Sequence, residues 1–234
     1  MCKPDIIITC AYGQLVPNIL LETPKYKAIN VHASLLPKLR GGAPIHHAII
    51  DGYKETGITI MYMIDKMDAG NIIKQSKIDI LPTDNMGTLH DKLSLLGSKL
   101  LMETLPSIFN FTNDSIEQNE NEVTIGYNIK REEELINFNK SAVEVINQIR
   151  GLYPYPLAYV LVKDEELKVL SAEIYDKEDG IIGQITEINK SGIIVKCNDI
   201  SIKITKVKPN GKREMDIIDY INGIKKEEYV GMIL

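Results

Sequence analysis

Three short runs of apolar, mostly β-branched residues most constrain what this chain can fold into: 5–10 (DIIITC), 28–31 (AINV) and 57–63 (GITIMYM). Runs of this length fit strands buried on both faces, as in a parallel sheet covered by helices. The intervening segments have helical spacing. One is 17–22; another is 44–50, where Ile45, Ile49 and Ile50 share a side. The longest is 86–108, with Leu89, Leu93, Leu96, Leu100 and Leu101 as an apolar stripe and Asp84 or Asn85 placed to cap its start. Strand–helix alternation of this kind predicts an α/β layer built on an open, mostly parallel Rossmann-like sheet. The first run follows directly on Met1-Cys2-Lys3-Pro4, although a buried strand needs neighbours on both sides. The expectation is therefore a sheet that is N-terminally incomplete.

The pattern breaks after residue 109. Residues 110–122 (NFTNDSIEQNENE) contain four acids, no Lys or Arg, and many Asn, so 110–126 reads as a solvated linker. A long surface loop within one domain is the alternative. Beyond it lies a short amphipathic helix at 141–150. Five short β-rich runs follow, at 158–162, 167–174, 181–188, 192–197 and 200–207, punctuated by Gly180, Gly183, Gly192 and Asn198-Asp199. They suggest a small β-barrel of the oligonucleotide-binding (OB-like) type over 127–234, although periodicity does not separate it from other small β folds. A helix at 215–222 ends at Gly223.

Composition sets wide bounds. The 234 residues suffice for two modest domains, and a formal net charge of -5 argues against coating nucleic acid by bulk charge. Cys2, Cys10 and Cys197 stand apart with no CxxC pair. That suggests free thiols in a reducing compartment and no zinc site. No stretch approaches the roughly 20 apolar residues of a membrane span, and no signal peptide is visible. The expectation is a cytoplasmic protein without membrane or metal partners.

The densest chemistry lies at 30–37 (NVHASLLP), directly after the strand at 28–31. Ligands of open α/β sheets bind at the carboxyl ends of the strands. Asn30 and His32 are two apart, so on an extended segment both point to one face. An equally plain reading is a hydrogen-bonded Asn and a half-buried His closing a strand. The segment 64–71 (IDKMDAGN) follows the strand at 57–63, and Asp68 before Ala-Gly suits a turn with a projecting carboxylate. Beside His32 it would form a proton-handling pair.

Residues 30–45 (NVHASLLPKLRGGAPI) resemble the signature stretch of the folate-dependent formyltransferases, and Thr56-Gly57-Ile58-Thr59-Ile60-Met61 with Met67-Asp68-Ala69-Gly70 resembles that family's second block. Residues 11–17 (AYGQLVP) resemble the segment lying against the pterin. The stretches 149–156 (IRGLYPYP), 208–215 (KPNGKREM) and 219–223 (DYING) look like the C-terminal barrel of the members that formylate methionyl-tRNA. The resemblance covers essentially the whole chain, apart from a glycine-rich opening turn and an inserted loop that are not found.

The resemblance implies a partial catalytic domain over 1–109, a linker over 110–126 and an OB-like tRNA-binding domain over 127–234. It implies formyl transfer from 10-formyltetrahydrofolate to the α-amine of initiator methionyl-tRNA. In that reaction Asn30 donates to the developing oxyanion, His32 adds polarisation, and Asp68 balances its charge and moves a proton. Which of His32 and Asp68 is the base stays open. Ser34, Leu35, Leu36 and Pro37 would line the folate site, the two leucines being otherwise ordinary core. Lys206, Lys208, Lys212 and Arg213, with Arg150, would contact tRNA, although a solvated edge strand also carries such lysines. A monomer is expected. The alternatives are another formyltransferase or hydrolase using the same folate, or a non-catalytic RNA-binding remnant.

Overall fold

The structure, a computed structural model, describes residues 3–234, so Cys2 lies outside the described residues. Two compact units are present. One runs through Ala48 and resumes over Tyr53–Asn128; the other comprises Ile49–Gly52 and Ile129–Leu234.

Along the first part of the chain lie β1 (Ile7–Cys10), α1 (Asn18–Glu22), β2 (Ala28–His32), α2 (Pro44–Ile50), β3 (Glu55–Tyr62), β4 (Ile72–Asp79) and α3 (Met86–Phe109). The four strands form one sheet in the order β1-β2-β3-β4. The β1–β2 ladder is parallel and sets Thr9 beside Asn30, whereas β2–β3 and β3–β4 are antiparallel. The mostly parallel sheet expected from sequence is thus corrected to a mixed one. β3 is buried from Thr56 to Met61, which makes its sequence an unbroken apolar run, but burial on both faces carries no information about direction. β4 was not legible in the sequence. It lies at the end of the sheet, with Lys74 paired to Glu103 and Lys77 to Glu55, and is joined to β3 by a turn too short for a parallel crossover.

α3 is started by Asn85, whose side chain accepts from Thr88 N while Thr88 Oγ1 accepts from Asn85 N. Its buried face is Leu89, Leu93, Gly97, Leu100, Thr104 and Ile108. Spacings of three and four are those of one helical face. A Cβ at Gly97 would come within 3.3 Å of Val31 Cγ1, so glycine sets the close approach of helix to sheet directly behind β2. Asp84, read as a possible cap, is buried and bonded to Lys92 and to the Leu81 amide. Burial raises its carboxyl, but these donors together with Thr88 more than offset that and leave it lowered.

Residues 110–126 are mostly exposed but are tied by their backbone to the first unit. Ile116 and Ile72 exchange backbone hydrogen bonds at 2.8 Å in both directions, Ile125 bridges to Arg40, and Gln118 is buried. The segment folds back over the first unit because its backbone groups find partners there. The division between units falls after Asn128.

The second unit contains α4 (Arg131–Glu134), α5 (Ala142–Gly151), β5 (Ala158–Val162), β6 (Glu165–Tyr175), β7 (Ile185–Asn189), β8 (Gly192–Lys196), β9 (Ser201–Pro209), β10 (Met215–Asp216) and α6 (Ile217–Asn222). The strands run β5-β6-β9-β8-β7, with β10 on β9, and every ladder is antiparallel. Val145, Ile149 and Leu152 of the α5 region join Val160, Val169, Val195, Ile202 and Ile204 in its core. The barrel expected from sequence is corrected: among the described residues β5 and β7 do not pair, and the sheet is not closed. Each end strand meets a different irregular segment. Ile136 N donates to Tyr159 O on β5; on the β7 side, Ile185 N donates to Met232 O and Gly231 N to Ile185 O. With both edges partly covered in this way, closure is not needed to satisfy them.

Candidate active site

The carboxylate of Asp68 joins the candidate site together. Asn30 and His32 lie two apart on β2, and Asp68 comes from the turn after β3. Asn30 Nδ2 donates to Asp68 Oδ1 at 3.3 Å, His32 Nδ1 lies 3.6 Å from the same oxygen, and the Gly41 amide donates to Oδ2 at 2.9 Å. All three predicted catalytic residues are therefore brought together. The side chain of His32 is 6% exposed and that of Asp68 13%, so the pair sits in a medium less screening than water.

The turn that delivers Asp68 is tightly specified. Asp68 itself has φ +50°, a left-handed conformation that Asp and Asn adopt more readily than most residues. A Cβ at Gly70 would lie 1.9 Å from Tyr62 O, so only glycine lets the turn fold back this far. Gln118 Nε2 then donates to both Asp68 O and Gly70 O at 2.8 Å. Buried Arg40 completes the clamp, with Nε donating to Gln118 Oε1 and Nη2 to Glu120 Oε1, each at 2.9 Å, while Lys66 Nζ donates to Glu120 Oε2. Arg40 and then Lys66 hold the Glu120 carboxyl down at about 2. Gln118 had no signal in the sequence, since it sits in a polar, Asn-rich stretch.

The protonation pattern of His32 follows from its partners. Its Nε2 lies 3.0 Å from Leu39 O. A carbonyl oxygen only accepts, so Nε2 carries the hydrogen and Nδ1 is the nitrogen that faces Asp68. On the other side of Asn30, Thr9 Oγ1 donates to its Oδ1 at 2.9 Å. Asn30 Nδ2 has two hydrogens, of which Asp68 Oδ1 takes one.

The loop 33–39 is held from β3 and β4. Thr59 Oγ1 donates to Ser34 O at 2.7 Å and accepts from Leu36 N at 3.1 Å, and Gln75 Nε2 donates to Leu36 O at 2.9 Å. Ser34 and Leu36 are buried, and Ser34 Oγ donates to Lys38 O. Of the four residues expected at the folate site, only Leu35 and Pro37 are partly exposed. In the segment 11–17, Tyr12 and Leu15 are exposed apolar side chains following β1.

In the second unit, Lys206 and Lys208 lie on β9, with Lys208, Lys212 and Arg213 exposed. A groove of about 660 Å³ is lined by Lys206, Lys212, Arg213, Glu214, Asp216 and Tyr220, among others. The acid-free stretch 201–213 thus gains acids through space. Lys206 bonds Glu214 at 3.1 Å, and Lys203 pairs with Glu173. Arg150, on α5, donates to Asn147 Oδ1.

Two family models match the chain, Formyl transferase over residues 1–105 and Formyl transferase, C-terminal domain, over 128–225, and with this fold and site they define it as a formyl transferase. Against the expectation of a first domain lacking its usual front, the first of these family models matches from residue 1 through residue 105. Methionyl-tRNA formyltransferase of Staphylococcus epidermidis is 53% identical over 99% of this chain and 75% of its own length; that of Staphylococcus aureus is 53% identical over 94% and 71%. The chain belongs to the methionyl-tRNA formyltransferase family. Among solved structures, an N-formyltransferase from Helicobacter canadensis, in complex with folinic acid and dTDP-3-aminofucose, shares the fold at TM-score 0.66 and 23% identity, covering 82% of this chain and 70% of that one. HypX from Aquifex aeolicus, in complex with tetrahydrofolic acid, does so at TM-score 0.70 and 16% identity over 94% of this chain and 39% of its own.

Proposed function

We propose that this chain transfers the formyl group of 10-formyltetrahydrofolate to the α-amino group of initiator methionyl-tRNA, with Asn30, His32 and Asp68 as its catalytic residues. The observation that carries this reading is the Asp68 carboxylate within reach of both the Asn30 amide and the His32 ring. Formyl transfer to an amine needs a hydrogen-bond donor where charge builds on the formyl oxygen, and an acceptor for the proton the amine gives up. The donor set fits a carbonyl-bearing co-substrate: Asn30 Nδ2 retains a hydrogen after serving Asp68, and an imidazole–carboxylate pair stands beside it. The folate supplies an N-bound formyl group whose carbon accepts the amine; the tetrahedral adduct then breaks its bond to the folate nitrogen, which leaves with the proton that the amine gave up.

Asn30 donates its second amide hydrogen to the formyl oxygen. His32 Nδ1 and Asp68 act together as the proton acceptor. The clamp of Gln118 and Arg40 holds the turn so that the carboxylate keeps its aim. Leu35 and Pro37 face the folate, while Ser34 and Leu36 serve it by fixing the loop. In the second unit, Lys206, Lys208, Lys212, Arg213 and Arg150 supply a local basic surface for the tRNA backbone in a chain that is acidic overall. Free thiols at exposed Cys10 and buried Cys197 suit the reducing cytoplasm.

The test is formylation by the purified chain with 10-formyltetrahydrofolate as donor and two acceptors in parallel, initiator methionyl-tRNA and a dTDP-amino sugar. Transfer to the tRNA alone is expected. Transfer to the sugar alone would move the chain to another acceptor class, and turnover without either acceptor would make it a hydrolase.

A further inference from the structure

We infer that Thr9, on β1, is a positioning residue for this reaction: its hydroxyl fixes which way round the Asn30 amide stands. The inference rests on the proposed role of Asn30. The parallel β1–β2 register sets the two residues side by side. Thr9 Oγ1 lies 2.9 Å from Asn30 Oδ1, 3.1 Å from Met63 Sδ and 3.4 Å from Ile29 O. A hydroxyl has one hydrogen to give, and of these acceptors the amide oxygen is nearest while the thioether is weak. On the far side, the Asp68 carboxylate only accepts, so it requires Nδ2 to face it. The amide is thus held at both ends, with its oxygen toward Thr9 and its nitrogen toward Asp68.

Without the Thr9 hydroxyl, Oδ1 loses the only side-chain donor found on it among the described residues, and the amide plane turns on a single anchor. The hydroxyl also polarises the group. A hydrogen bond accepted at Oδ1 draws electron density from Nδ2 and strengthens the hydrogen bonds that its N–H groups donate. One of those points to Asp68; the other is the one assigned to the formyl oxygen. Both effects act on the transition state more than on the binding of either substrate, so they belong in kcat rather than KM.

Thr9→Val removes the hydroxyl at nearly constant shape, and Thr9→Ala replaces it in the assay where the valine chain does not fold. The expected result is a loss of about ten-fold in kcat, the scale of one hydrogen bond, with KM for both substrates unchanged, the melting temperature lowered by no more than about 2–4 °C, and recovery in Thr9→Ser. In an Asn30→Ala background the same substitution should cost nothing more, because the group it orients is gone. Full kcat in Thr9→Val alongside an impaired Asn30→Ala overturns the role of Thr9 and leaves that of Asn30 standing. An equal loss in both backgrounds overturns it too, since Thr9 would then act by another route. Wild-type activity in Asn30→Ala overturns the reading of the site itself.

Discussion

Replacing Asp68 by asparagine tests the centre of the site with the least disturbance around it. The residue has φ +50°, a conformation that asparagine tolerates and alanine does not favour, so the turn should survive the change. The Gly41 amide, 2.9 Å from Oδ2, selects the carbonyl oxygen of the new side chain. The new NH2 then falls where Oδ1 stood, 3.3 Å from the Asn30 NH2 and 3.6 Å from His32 Nδ1. Donor meets donor at Asn30, and the negative charge beside the imidazole is gone. Loss of positioned acid–base catalysis alone spans about 100- to 10,000-fold, so kcat should fall about 1,000-fold, or about 4 kcal/mol at 1.36 kcal/mol per decade. One lost hydrogen bond of about 1 kcal/mol should lower the melting temperature by only about 2–4 °C. Steady-state formylation of methionyl-tRNA measures the first number and a circular dichroism melt the second. A kcat within ten-fold of the parent, with the fold intact, would refute the reasoning.

Two further changes probe the surroundings. The Glu120 carboxyl, held by Arg40 and Lys66 at about 2, lies below its ordinary value of 4.5. A depressed carboxyl contributes stability above its unfolded value and loses it as pH falls toward the folded one, so Glu120→Gln should flatten the melting-temperature profile between about 4.5 and about 2. Because the side chain is 60% exposed, the difference should shrink as salt is added; an unchanged acid limb would show that the pair contributes nothing. The double substitution Lys206→Ala, Lys208→Ala should weaken tRNA binding and lower the slope of log K against log salt by about 1 to 2, with the smaller share from Lys206, which Glu214 already neutralises. Filter binding across a salt series gives the slope, and no change would remove β9 from the tRNA footprint.

Much of this arrangement is legible along the chain, but unevenly. Asn30, His32 and Asp68 could be picked out because they lie at or just beyond the ends of apolar runs, where open sheets present side chains, and because the stretches that carry them resemble the family's signature blocks. Strand direction could not, since β3 has the same apolar sequence whichever way it runs. The edge strand β4 was lost because its alternation of Ile, Lys and Gln looks like surface. Barrel closure depends on what covers the edges of β5 and β7, and the covering segments around Ile136 and Met232 have no local signature. Gln118 was hidden for a related reason. A polar residue in a polar stretch reveals its burial only when its two backbone acceptors, some fifty residues earlier, are known to be nearby.

The return of residues 110–126 over the first sheet decides how the chain can be dissected. A composition-based cut after residue 109 would look harmless, separating a tidy α/β piece from an acidic tether. It would in fact strip the catalytic piece of Gln118 and Glu120, leaving Arg40 as an unpaired buried cation and the Asp68 turn without its inner support. The tether is part of the enzyme's frame. A chimaera that exchanges the second unit should therefore be joined after Asn128, carrying the acidic stretch along with the strands it braces.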